Sequence, residues 1–274
     1  LLLKYVGGFS NRELADIFHS WNQGELHSYL IGITAGIFRE ADDLGDGELI
    51  DRIKDSAKQK GTGRWASIEA LKQGVDISMI TSACTARIMS NHLDEREKAW
   101  QLIHSPAVGL SPDKESFAAM VREALYTGKI IAYAQGFSLM QDASRLYGWN
   151  LDLGKIASIF RAGCIIQAVF LNDITHAFEA EPKPENLIFD GFFLSRINEH
   201  QDSLRQAVST GVMNGLPIPA LCNAVSYLDE FRAKAAGANL IQAQRDCFGA
   251  HTYERTDREG VFHHEWRWAN DNQH

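Results

Sequence analysis

Residues 111–147, SPDKESFAAMVREALYTGKIIAYAQGFSLMQDASRLY, read as one long helix. Ser111 stands as its N-cap and Pro112 at its first helical position. An apolar pattern at helical spacing then runs through Phe117, Met120, Val121, Leu125, Ile131 and Phe137 to Leu146. At 1.5 Å per residue this is roughly 50 Å of helix. Gly128, Ala132, Ala134 and Gly136 make its middle small and nearly uncharged, as expected where a helix is buried on several sides.

Helical patterns continue on both sides. Downstream they cover residues 152–161, 164–179, 193–213 and 219–235, separated by Gly163, Glu181-Pro-Lys-Pro184 and Gly215-Leu-Pro-Ile-Pro219. Upstream, residues 1–5 read as a helix end closed by Gly7-Gly8. Ser10-Asn-Arg-Glu13 is a capping-box sequence, flanked by Phe9 and Leu14 as a hydrophobic staple. The helix it starts buries Leu14, Ile17, Phe18 and Trp21, and a second carries Leu26, Tyr29, Leu30, Ile33 and Ile37 after a break at Gly24. Asp42-Asp-Leu-Gly-Asp-Gly47 is an acidic turn and not a calcium loop, because Leu44 and Ile53 occupy positions that would need oxygen ligands. Leu49, Ile50, Ile53 and Ala57 recur at helical spacing. No strand-like alternation appears before the C-terminal tail, so the fold class is all-α.

The chain also matches itself. Tyr5 pairs with Tyr147, Phe9 with Leu151, and the cap Ser10 with the cap Asp152. Leu14, Ala15, Ile17 and Phe18 pair in the same register with Ile156, Ala157, Ile159 and Phe160. One deletion later, Leu30-x-x-Ile-Thr34 pairs with Leu171-x-x-Ile-Thr175. This pattern points to duplication of a helical unit. A long helix precedes the second copy, whereas only residues 1–5 precede the first. With a first residue other than Met, the expectation is a fragment of a longer chain.

A length of 274 residues allows a large core, and 45% apolar with 23% charged residues is ordinary for a globular protein. Six prolines favour long helices. A formal charge of −8 argues against a nucleic-acid surface, which needs many exposed cations. Cys84, Cys164, Cys222 and Cys247 are far apart with no CxxC spacing, which predicts buried thiols in a reducing cytosol rather than disulfides or metal ligands. No apolar run is long enough to span a bilayer and no signal peptide is present, so membrane partners are not expected.

Lys60-Gly-Thr-Gly-Arg-Trp65 forms a corner between two helical patterns, the second opening with Ile68 and Leu71. Glycines free the backbone, N–H groups lie open at the next helix start, and Lys60 adds a point charge, which suits a phosphate or carboxylate. A helix C-terminus with a basic last turn and a glycine cap would look the same. Arg87 is the only charged residue across residues 77–93, and calls for an anionic partner, either an internal carboxylate or a ligand. Beyond Gly237, residues 239–253 begin as a short helix. The chain then runs through Asp257-Arg-Glu-Gly260 to Val261-Phe-His-His-Glu-Trp266, an apolar and aromatic extension in need of a surface. Arg245 and His251 flank Phe248-Gly249 there. His263-His264-Glu265 lacks a metal-ligand spacing, so no metal is expected.

These stretches carry a resemblance. Trp21-Asn-Gln-Gly-Glu-Leu-His-Ser-Tyr-Leu-Ile31, Lys60-Gly-Thr-Gly-Arg-Trp65, Phe160-Arg-Ala-Gly-Cys-Ile-Ile166 and residues 239–253 resemble the all-helical C-terminal part of the 6-phosphogluconate dehydrogenase family, up to about Trp266. The family's members are decarboxylating enzymes of the pentose phosphate pathway and of gluconate utilisation. The resemblance implies that Lys60, Arg87, Arg245 and His251 bind 6-phosphogluconate, with Lys60 and Arg87 as phosphate-binding cations. It implies a cytoplasmic homodimer in which Arg245 and His251 reach the other subunit's site. Residues 1–237 would then form the duplicated substrate-binding and dimerisation domain and residues 238–274 the exchanged tail. It implies NADP as cofactor, bound mainly by an N-terminal Rossmann domain absent from this chain, and a catalytic Lys and Glu upstream, leaving no catalytic residue here. Two positions depart from the family: Arg64 stands where Lys is common, and Gln167 where Arg is usual, which removes a cation from a structural ion pair. The alternative is a non-catalytic helical module that dimerises or binds a sugar phosphate.

Overall fold

A computed structural model describes residues 1–104 and 113–266. In chain order its helices are α1 (Asn11–Trp21), α2 (Tyr29–Ile37), α3 (Thr62–Gln73), α4 (Ser78–Ser90), α5 (Leu93–Leu102), α6 (Lys114–Leu146), α7 (Leu153–Ile159), α8 (Leu171–Glu179), α9 (Gly191–Met213), α10 (Pro219–Arg232) and α11 (Ala238–Gly249). The only sheet among the described residues is an antiparallel ribbon of β1 (Tyr253–Glu254) and β2 (Val261–Phe262). The fold is all-α. Chain contacts separate two units, Leu1–Tyr227 and Leu228–His274, with the division inside α10.

The first unit is organised around α6, which packs most extensively on α9. Ile130, Ile131 and Ala134 of α6 are fully buried, with Phe170, Leu171, Ile174, Phe193 and Leu204. Phe170 meets Tyr133 edge-on at 4.8 Å between ring centres and Phe193 at 6.4 Å. The helix starts at Lys114, capped by Asp113, whose carboxylate accepts from the Ser116 N–H at 2.9 Å. Asp113 therefore takes the role assigned to Ser111, and Ser111 and Pro112 lie outside the described residues.

The capping box is formed in full. The Glu13 N–H donates to Ser10 Oγ at 3.3 Å, and the Ser10 N–H donates to Glu13 Oε2 at 2.7 Å. Lys114 donates to the same carboxylate at 2.7 Å, and with the Ser10 bonds it brings the Glu13 pKa down to about 2. Ser10→Ala should destabilise the chain by ~1 kcal/mol. A chemical-denaturation midpoint unchanged by this substitution would contradict the role of the cap.

Some of the self-matched residues do the same local work, although Leu30 and Ile33 are exposed where their matches Leu171 and Ile174 are buried. Ser10 and Asp152 cap α1 and α7, each accepting from the N–H three residues on. Thr34 and Thr175 each donate to the carbonyl four residues back, Leu30 at 2.7 Å and Leu171 at 2.9 Å. An antiparallel bridge between Ser28 and Ala168 joins the entries to α2 and α8. Lys129 of α6 reaches this joint, donating to Ser28 Oγ at 3.2 Å, and burial lowers its pKa to about 8.

Four expectations are corrected. Residues 49–57 do not form a helix: a single 3-10 turn, Leu49–Asp51, is held by Asp51 accepting from Lys4 (2.7 Å) and Asn11 (2.7 Å), and the chain then runs without regular structure. Residues 164–170 are turns rather than helix, because the backbone at 167–169 bonds across to residues 27–29. In α2 the buried side chains are Ile31 and Ala35, while Tyr29, Leu30, Ile33 and Ile37 are exposed, as are Ile68 and Leu71 of α3. The four thiols are free and half-buried rather than buried.

The second unit places α11 before the ribbon, with Tyr253 paired to Phe262 and Glu254 to Val261. Arg255 closes the connecting loop with a bidentate pair to Asp257, at 2.7 and 2.8 Å. Among the described residues no helix is long and apolar enough to cross a membrane.

Candidate functional site

Residues 56–60 are laid along the C-terminal half of α4 by side chains of that helix. The Ala57 N–H donates to Ser90 Oγ at 3.0 Å, and Asn91 Nδ2 donates to the Ala57 carbonyl at 3.3 Å. Ser56 Oγ donates to Asn91 Oδ1 at 2.8 Å. Two turns earlier, Cys84 Sγ donates to Gln59 Oε1 at 3.0 Å. Cys84, Arg87 and Asn91 follow i, i+3, i+7 spacing and therefore share one face of α4. Ser90 Oγ and Asn91 Nδ2 also donate to the Arg87 carbonyl, both at 2.7 Å. The segment that ends in Lys60 is thus fastened to α4 on either side of Arg87.

Gly61 turns the chain from this segment into α3. It sits at φ 104°, a left-handed conformation that side chains resist, and a Cβ there would lie 3.6 Å from the Arg64 guanidinium. No side chain caps α3, so its first N–H groups are open, and the helix dipole adds positive potential at that end. At Gly63 α3 lies against α4, where an added Cβ would make an ordinary contact with Cys84 Sγ at 3.4 Å. Ser67 Oγ and Thr81 Oγ1, 3.0 Å apart, hold the two helices together one turn further on.

At its other end, α4 is fixed to the core. Met79 N–H donates at 3.1 Å to Oε1 of the fully buried Gln135 on α6, and Ser78 N–H donates to Asp76 Oδ1 at 2.6 Å. Gln135 thereby completes a helix start that has no cap of its own side chain.

Lys60, Arg64 and Arg87 are exposed, and among the described residues none of them has a carboxylate in ion-pair range. The internal partner considered for Arg87 is therefore not found among those residues, and its helix is not closed around it as the apolar sequence suggested. Lys60, Arg64 and Arg87 are thus three cations without a described acidic partner in a chain of net charge −8, and the N–H groups at the start of α3 are left without a side-chain cap.

Arg245 and His251 belong to the second unit. Arg245 is exposed on α11, and its Nη1 donates to Gln242 Oε1 at 3.1 Å. His251 is exposed just past the helix end, its ring edge-on to Phe248 at 5.9 Å. It lies between two left-handed residues, Ala250 (φ 50°) and Thr252 (φ 64°). The fully buried Asp246 accepts from Thr252 N–H (3.0 Å), His263 Nδ1 (2.8 Å), His264 N–H (3.1 Å) and Trp266 Nε1 (2.9 Å). Burial pushes its carboxyl pKa up, but these donors together hold it below the usual carboxylate range. His263 is thus a partner of Asp246. No group of three or more His, Cys, Asp or Glu that could hold a metal occurs among the described residues.

Sequence reading missed Gln59, Cys84, Ser90, Asn91, Gln242 and Asp246. Asn91 alone carries a usable signal, as an Asn just after a helix. The others bond to residues whose proximity only the fold creates.

Comparisons with known proteins give the family of the chain. Residues 1–266 match the family model "6-phosphogluconate dehydrogenase, C-terminal domain". The decarboxylating 6-phosphogluconate dehydrogenase of Lactococcus lactis subsp. lactis (strain IL1403) is 49% identical over 265 residues, which is 97% of this chain and 56% of that protein. The NADP(+)-dependent, decarboxylating enzyme of Bacillus subtilis (strain 168) is 48% identical over 266 residues, with 97% and 57% covered. A solved structure of Plasmodium falciparum 6-phosphogluconate dehydrogenase, studied apo, with its cofactor NADP+ and with its substrate 6-phosphogluconate, superposes with a TM-score of 0.93 at 39% identity. It is matched over 97% of this chain and 57% of that one. The chain spans little more than half the length of these relatives, and it belongs to the 6-phosphogluconate dehydrogenase family, of which it forms the C-terminal domain.

Proposed function

We propose that this chain is the substrate-binding and dimerisation part of an NADP-dependent, decarboxylating 6-phosphogluconate dehydrogenase. The observation that carries this reading is the corner of Lys60, Arg64 and Arg87 around the open start of α3, in a chain that matches the family over 97% of its length. A phosphate monoester carries nearly two negative charges at neutral pH and three acceptor oxygens. Lys60 and Arg87 supply charge for it, Arg64 adds a third cation, and the α3 N–H groups supply fixed donors. Arg245 and His251 contact the remainder of 6-phosphogluconate in the site of the partner subunit of a cytoplasmic homodimer. The uncovered Tyr29, Leu30, Ile33 and Ile37 of α2 support association, because a helix apolar on all sides is normally buried on all sides.

Oxidation of the sugar acid needs NADP, and these 274 residues contain no glycine-rich dinucleotide turn. Nucleotide binding and the Lys–Glu acid–base pair are assigned to a domain upstream. This chain's part of the reaction, which yields ribulose 5-phosphate, is to bind and orient the substrate.

The test is a spectrophotometric assay of 6-phosphogluconate-dependent NADPH formation, run with and without an upstream nucleotide domain. Activity is expected only with that domain. The 274-residue chain alone should be helical and dimeric in sedimentation, yet inactive. NADP reduction by the chain alone would overturn the upstream placement of the acid–base pair. No turnover in a folded longer dimer would favour the non-catalytic module instead.

A further inference from the structure

We infer that Gln242 and Asp246 are positioning residues that clamp Arg245 and the His251 loop into one fixed constellation. The inference rests on the proposed role of Arg245 and His251 in substrate binding. Its warrant is a closed set of bonds on one stripe of α11. Gln242 and Asp246 are four apart, so both face the chain that returns past the helix end.

Gln242 uses both ends of its amide. Its Oε1 accepts from Arg245 Nη1 at 3.1 Å, and its Nε2 donates to the Thr252 carbonyl at 2.6 Å. One side chain therefore sets the direction of the guanidinium and the place of the residue after His251. Asp246 holds the loop from below. Its carbonyl accepts from Ala250 N–H at 2.8 Å and its carboxylate from Thr252 N–H at 3.0 Å. The N–H groups on both sides of His251 thus end on one residue. Ala250 and Thr252 are both left-handed, a conformation non-glycine residues hold only when their surroundings impose it. The clamp is that imposition.

A purely local role in ending the helix does not account for Asp246. A carboxylate at a helix C-terminus faces the negative end of the dipole. Burial of this one is tolerated because His263, His264 and Trp266 complete its shell, which also ties residues 263–266 to the His251 loop. An ionised carboxylate is an acceptor only, so all these donors are met without rearrangement.

The test uses the active enzyme with its upstream domain. Gln242→Ala should raise KM for 6-phosphogluconate about tenfold, the size expected for a lost hydrogen bond to a charged group. Its kcat, its KM for NADP and its thermal midpoint should stay within error. In an Arg245→Ala, His251→Ala background, adding Gln242→Ala should change KM less than twofold, because the residues it positions are gone. Asp246→Asn should raise KM similarly and make the tail sensitive to limited proteolysis. Since that variant can also unfold the tail, the Gln242 cycle decides. An unchanged KM in Gln242→Ala, or a full tenfold effect in the double-alanine background, overturns the inference. Should Arg245→Ala and His251→Ala each leave KM unchanged, the site assignment itself fails, and the inference with it.

Discussion

Alanine at Arg87, or at Lys60, should raise KM for 6-phosphogluconate about 10- to 100-fold in the enzyme proposed here. Each substitution removes charge-assisted contacts to the phosphate, worth ~1.5–3 kcal/mol. Both side chains are exposed and have no described protein partner, so stability should barely change. This separates a binding effect from a folding one. Arg87→Lys should recover only part of the affinity, since a lysine keeps the charge but not the planar fork that grips two oxygens. KM for NADP should be untouched. A normal KM for 6-phosphogluconate in both alanine variants would remove the corner from the binding site.

Mixed dimers give the second large effect. Arg87→Ala and His251→Ala should each be nearly inactive at low substrate. If His251 serves the partner subunit, a dimer with one chain of each kind collects both lesions in one site and leaves the other intact. Unfolding and refolding the two variants together should make about half the dimers mixed, so about a quarter of all sites regain function. If His251 serves its own subunit, every site keeps one lesion and activity stays at the parental level. That result, with mixed dimers verified by mass, would end the proposal of tail exchange.

The parts of the fold that could be read from sequence are those fixed by short-range chemistry. Ser10 and Glu13 announce the start of α1 because both partners of the capping box lie within one turn. Gly and Pro breakers bracket α9 and α10 for the same reason. Residues 49–60 misled because Leu49, Ile50, Ile53 and Ala57 have helical spacing, while Asp51 is claimed by Lys4 and Asn11 and Ala57 by Ser90 and Asn91. Those partners are 30 to 50 residues away, roughly, and tertiary contacts override a weak local preference. The exposed α2 residues misled in another way: apolar periodicity marks a face that is covered by something, without saying by what. At the site, Lys60 and Arg87 stood out as cations suited to an anion and their substrate role came from a family likeness, while the bonds that lay the Lys60 segment along the Arg87 helix run through Gln59, Cys84 and Asn91. Gln242 and Asp246 sat inside the quoted tail motif, yet their work depends on a loop conformation that no spacing displays.

The left-handed pair around His251 sets two selective pressures against each other. Glycine at 250 or 252 would remove roughly 1 kcal/mol of backbone cost at that position. It would also open conformations in which the imidazole points elsewhere, so the ordered loop would be one of several. Thermostability and ligand presentation therefore favour different residues at the same two positions, and a variant chosen only for heat resistance would drift toward the looser loop. An alanine and a threonine held there against their own preference keep the loop that carries the imidazole in one conformation.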